Sequence, residues 1–176
     1  MQREGWSKTI GIGLLIGLVA SIFMTLAMMA LRYGLGIATP AELVGDRLAP
    51  TFTIQEFFEL LARYGGYNEL KQVGVTSVLA GQFAVGVLGG VLYALIARPW
   101  RIRLSDSEGH SGGRYGPVFI ALFVGGLWLV TVMALWSVLG THYGGLPPGR
   151  ARLATSLGLL VSYAIYGLTL VWAHRT

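Results

Sequence analysis

The chain contains no cysteine. That excludes disulfides, thiolate metal sites and cysteine nucleophiles, and leaves the redox compartment open. Charge is scarce as well, with only 12% of the 176 residues ionisable as Asp, Glu, Lys or Arg. No glycine fingerprint for nucleotides, no H-E-x-x-H metal motif and no serine-hydrolase elbow occurs anywhere in the sequence. Nucleotide chemistry, zinc hydrolysis and lipase-type acyl transfer therefore have no sequence support.

Apolar residues make up 54% of the chain, and the mean hydropathy is +0.64. A bilayer crossing takes about 20 mainly apolar residues at roughly 1.5 Å rise each. Four stretches qualify: Thr9 to Leu31, Val73 to Ala97, Pro117 to Leu139 and Ala151 to Ala173. None holds Asp, Glu or Lys, and their one arginine, Arg152, falls near an end. The expected fold is an all-α integral membrane protein, a single membrane domain over residues 1–176 with four transmembrane helices. The first apolar run is longer than a signal-peptide h-region and no A-x-A site follows it, so it is read as a retained helix.

The sequence pI near 9.8 does not point to nucleic acid, because the basic residues flank the hydrophobic runs as membrane proteins require. Arg3, Lys8, Arg98, Arg101, Arg103, Arg114 and Arg175 share one face, against Arg32, Arg47, Arg63, Lys71, Arg150 and Arg152 on the other. The short loop carrying Arg98, Arg101 and Arg103 favours cytoplasmic termini in a cell inner (plasma) membrane. Trp6, Trp100 and Trp172 then mark one interface, with Trp136 and Tyr143 near the other.

The first loop, from Tyr33 to Gln72, is long enough to hold structure. Thr39-Pro40-Ala41-Glu42 and Thr53-Ile54-Gln55-Glu56 are capping boxes, so short helices are expected over about 40–48 and 54–64. The second places Ile54, Phe57, Phe58, Leu61 and Tyr64 on one face and ends at Gly65-Gly66; it reads as an interfacial, amphipathic docking helix. Asn68 is an expected N-cap for the second span. The Gly/Pro-rich "GTHYGGLPPGR" makes the third and fourth spans antiparallel neighbours.

Within the spans, small residues recur every four positions: Gly13, Gly17, Ser21 and Thr25 in the first, Gly86, Gly90 and Ala94 in the second, Ala154, Gly158 and Ser162 in the fourth. Such stripes let membrane helices approach closely. Gln82 is the deepest strongly polar side chain, ahead of Thr76, Ser77 and Thr131, and is expected to hydrogen-bond between helices. His110, His142 and His174 are not placed to clamp one haem, and Met24, Met28, Met29 and Met133 read as packing. His142 and Tyr143 are a candidate border for a quinone head.

The runs "TPAELVGDRLAP", "FFELLARYGGYNELKQVGVTSVLAGQ" and "LGTHYGGLPPGRARLATSLGLLVSYAIYGL" together resemble the membrane region that precedes the catalytic domain in some bacterial molybdopterin-dependent oxidoreductases of the sulfite-oxidase type. The sequence given ends at Thr176 without a molybdenum-binding domain, so no catalytic residue carries over. The resemblance implies a membrane anchor or docking subunit of a redox or energy-transducing complex. Such a subunit has no cofactor of its own, bound lipid, and other membrane-protein subunits as partners. The alternatives are a small carrier or channel, or a quinone-handling redox protein.

Overall fold

The structure is a computed structural model that describes the backbone of residues 2–106 and 115–175, and the side chains of residues 6–96 and 118–173. Six α-helices account for nearly all of it: α1 (Gln2–Leu35), α2 (Pro40–Leu48), α3 (Ile54–Tyr64), α4 (Tyr67–Asp106), α5 (Tyr115–Ala134) and α6 (Pro148–Arg175). A short 3-10 turn, Ala49–Thr51, links α2 to α3. Stretches of Trp6–Leu35, Tyr67–Ile96 and Pro148–Ala173 are long and apolar enough to cross a membrane, and Val118–Ala134 is a shorter apolar helix. At about 1.5 Å per residue, α1 and α4 are roughly 50 and 60 Å long, well beyond the hydrocarbon thickness.

Glycine decides the tightest contact. A Cβ built on Gly90 would lie 2.5 Å from the Gly17 Cα and 2.6 Å from the Gly13 carbonyl oxygen, and one on Gly13 would lie 2.8 Å from the Val91 Cα. On Gly86 it would collide with the Ser21 hydroxyl. At Gly13, Gly17 and Gly90 the α1 and α4 backbones therefore run directly against each other. α6 also packs against α1, where Gly158 receives the side chain of Ile37 just past the α1 end, and touches α4 through Tyr166; α5 packs on α6, where Gly167 receives Ile120 and Val124. The lateral order is thus α4, α1, α6, α5. α4 and α5 do not lie side by side; Phe123 of α5 reaches over to Gly89 of α4.

α2 folds over the end of the bundle that carries the first loop, hereafter the loop end, and buries Leu43 completely. Its capping box forms in full, with Thr39 accepting from the Glu42 amide and the Glu42 carboxylate accepting from the Thr39 amide. α3 has the same box at Thr53 and Glu56 and closes on Gly65, whose left-handed backbone (φ 86°) lets both Gly65 and Gly66 donate to the Leu61 carbonyl.

Three boundaries differ from the sequence expectation. α4 continues as helix through Arg98, Arg101 and Arg103 to Asp106, where a loop is expected after Ala97. The third apolar stretch, expected to be helical to Leu139, leaves the α-helix at Ala134 and continues in turns with i→i−3 bonds from Trp136 to Met133 and from Val138 to Leu135. The tightening brings the following loop back to α1, where Tyr143 donates to the Gly36 carbonyl at 2.9 Å. Asn68 is not the N-cap of α4, which starts one residue earlier at Tyr67 directly after the positive-φ pair Gly65 and Gly66.

Candidate functional site

Side-chain polarity at membrane depth collects where α1, α4, α5 and α6 converge. Ser21 donates to the Gly17 carbonyl and Thr25 donates to the Ser21 carbonyl, each at 2.8 Å, the usual way for a hydroxyl to satisfy itself within a helix. Because the single Thr25 hydrogen is spent there, its oxygen can only accept from Gln82. The Gln82 nitrogen stands 2.9 Å away and donates. This fixes the amide orientation: one hydrogen of Nε2 and the Oε1 lone pairs remain uncommitted.

The same count settles the opposite wall. Thr131 donates to the Leu127 carbonyl at 2.8 Å, so in its 3.0 Å contact with Tyr163 the phenol is the donor. Tyr166 donates to the Gly86 carbonyl at 2.5 Å, tying α6 to α4. Both phenol oxygens keep lone pairs. Trp128 adds a tie from α5 to α6 by donating to the Ser156 carbonyl at 2.8 Å.

Two cavities adjoin these groups and share Gln82 and Pro40. The inner one, of about 210 Å³, is bounded by Met24, Val78, Val85, Phe123, Leu127 and the two tyrosines among others. The other, of about 190 Å³, runs from Gln82 and Thr25 to Arg32, Glu42 and Lys71 at the loop end. There Arg32 forms the one ion pair among the described residues, 2.8 Å from Glu42, and its guanidinium sits 3.7 Å from the Tyr143 ring centre. Burial raises the Glu42 pKa, but hydrogen bonds from the Thr39 amide, Arg32 and the Thr39 hydroxyl outweigh it and hold the carboxyl below its ordinary 4.5. Tyr143 is pushed up, first by burial and then by the negative charges of Glu42 and Asp46, with Arg32 opposing.

The residues singled out from sequence fall into separate places. Gly13, Gly17, Ser21, Gly86, Gly90 and Ala94 meet at the α1–α4 seam. Gly158 and Ser162 face α1 from α6, both buried, with Ala154 half-buried on the same side. Gln82 joins α4 to α1 and lines both cavities. Ile54, Phe57, Phe58, Leu61 and Tyr64 form the apolar face of α3, largely uncovered: Ile54 is 78% and Phe58 63% exposed. His142 accepts from the Gly144 amide through Nδ1 and, with Tyr143, borders an open basin that shares Arg32 and Tyr33 with the outer Gln82 cavity but not the inner one. His110 and the His174 side chain lie outside the described residues, and among those described no group of three His, Asp or Glu is arranged to hold a metal ion.

Tyr163, Tyr166 and the Arg32–Glu42 pair are polar features that hydropathy passes over. A signal for the tyrosines exists: a phenol in the middle of an apolar helix needs a partner for its hydroxyl. No family model, curated protein or solved structure matches the chain.

Proposed function

We propose that this chain is a four-span, non-catalytic subunit of a larger redox or energy-transducing assembly in a bacterial plasma membrane, with both termini cytoplasmic. It acts through helix packing and through the first loop as a docking surface. The observation that carries this reading is the α3 face, whose Ile54 and Phe58 stand exposed on a helix capped firmly at both ends. A capped helix that buries none of its own residues holds a shape suited to something outside the chain. The likeness to the membrane region of molybdopterin-dependent oxidoreductases supports the same class of assembly.

The test is extraction of the natively expressed protein in mild detergent, followed by native electrophoresis and mass spectrometry. Co-migration with stoichiometric membrane subunits is expected, released by Ile54→Asp with Phe58→Asp. A monomer in native extracts, with catalytic turnover of its own, would overturn the assignment.

A further inference from the structure

The gap between α4 and α5 is a wedge. Phe123 and Tyr166 close it near Gly89, and α2, through Pro40 and Val44, covers it at the loop end. Between these stops the inner cavity lies at membrane depth, its walls apolar except for Gln82, Thr131, Tyr163 and Tyr166.

We propose that this wedge is a binding slot for a neutral, bilayer-soluble molecule with a hydroxyl head, read by the Gln82 amide and entered sideways between α4 and α5. The inference goes beyond the assembly role and stands whether or not the chain has partner subunits. Three points support it. First, no ionised side chain among the described residues lines the inner cavity, so a carboxylate or phosphate placed there would lose its hydration without compensation. The cations Arg32 and Lys71 line the other cavity instead, and Arg32 is already paired with Glu42.

Second, the hydrogen count specifies the head. Thr25 and Thr131 have spent their hydrogens on backbone carbonyls, and Tyr163 and Tyr166 have spent theirs on Thr131 and Gly86. What remains is one amide hydrogen and several acceptor lone pairs. A hydroxyl matches that set because it accepts from Nε2 and donates to Oε1 or a phenol oxygen; a ketone or ester would use only the amide hydrogen. Third, α4 and α5 lack the close backbone packing seen between α1 and α4, and Gly81 and Val85, which line the slot, are exposed on its outer side, so it opens toward lipid.

The probe is a long-chain fatty alcohol carrying a diazirine beside the hydroxyl-bearing carbon, added to the full chain in phosphatidylcholine vesicles. The matched fatty acid and a diazirine alkane serve as comparisons. After irradiation, peptide mapping should place the alcohol on the α4 segment from Val78 to Gly86 and the α5 segment from Phe123 to Thr131. Labelling should saturate and be displaced by unlabelled alcohol. Gln82→Leu should weaken it about tenfold, the loss of one hydrogen-bonded head contact, and Val85→Trp should block it. Labelling that never saturates and simply follows lipid exposure, as at Leu88 and Leu122, would overturn the proposal. So would equal labelling by the alkane, or preferential labelling by the acid dependent on Lys71. If either variant fails to fold, saturation and alcohol-over-alkane preference in the unaltered chain decide the matter.

Discussion

Gly90 has a hydrogen where any other residue would put a carbon, and the atoms in the way are the backbone of α1. Backbone cannot rotate aside as a side chain can, so Gly90→Ala must push α1 and α4 apart. A loss of about 1–3 kcal/mol, the usual cost of overpacking, is expected in thermal unfolding of the detergent-solubilised protein. Gly81→Ala, on the same helix with nothing within 4 Å of the new carbon, should be neutral or slightly stabilising. Equal melting of the two variants would show that the close contact does not hold the pair together. Thr155 tests the opposite situation: its buried hydroxyl has no partner among the described residues, whereas Ser162 on the same helix donates to Gly158. Thr155→Val keeps the shape and removes the desolvated oxygen, so stability should hold or rise; a loss above about 1 kcal/mol would mean the hydroxyl has a partner after all. Glu42 adds a pH term. A carboxyl whose folded pKa lies below its ordinary 4.5 gives its full stabilisation above that value and loses it as pH falls through the lower folded value. Melting temperature should therefore drop with acidification below about pH 4.5, and the drop should shrink in Glu42→Gln.

At the scale of elements, α2 and α3 were legible because their signals are local. Each capping box needs only a threonine and a glutamate three residues on, and the Gly65-Gly66 stop needs only a residue free to take positive φ. The end of α5 was not legible: hydropathy continues to Leu139, while the helix yields at Ala134 to a loop whose hydrogen-bonding partner, Gly36, lies far away in sequence. Gly36 itself holds φ +70°, and a Cβ there would lie 2.6 Å from the Gly144 nitrogen, so this junction depends on glycine twice over. The α3 helix offers a clean measurement because the chain has no cysteine. Single spin labels through Ile54→Cys, Phe58→Cys, Gln55→Cys and Glu59→Cys, in the isolated protein in vesicles, should show oxygen access at the first two and water-soluble relaxant access at the others. Uniform aqueous access would place α3 away from the bilayer. Thr53→Ala should weaken the helix by about 1 kcal/mol and blur that alternation.

For the whole molecule, the spacing of small residues shows which faces approach closely but not which face meets which. The first and second stripes meet each other, while Gly158 in the fourth takes Ile37, a residue outside any stripe. Gln82 was legible as an interhelical donor; its neighbours Tyr163 and Tyr166 were not, because a cavity depends on where helices fail to touch. That failure is uneven, since α1 is gripped by α4 and α6, whereas α5 leans on α6 through Trp128, Thr131, Ile120 and Val124. A helix packed closely on one neighbour alone, and reaching α4 through Phe123, has fewer contacts to lose on moving, so α5 should be the mobile wall of the bundle. Paired spin labels at Val130→Cys on α5 and Val85→Cys on α4 should give a broad distance distribution, and pairs at Ile12→Cys on α1 and Leu92→Cys on α4 a narrow one. Trp128→Phe, which deletes the bond to Ser156, should broaden the first without touching the second. Equally narrow distributions for both pairs would mean that something beyond α6 fixes α5, and would remove the sideways entrance on which the proposed slot depends.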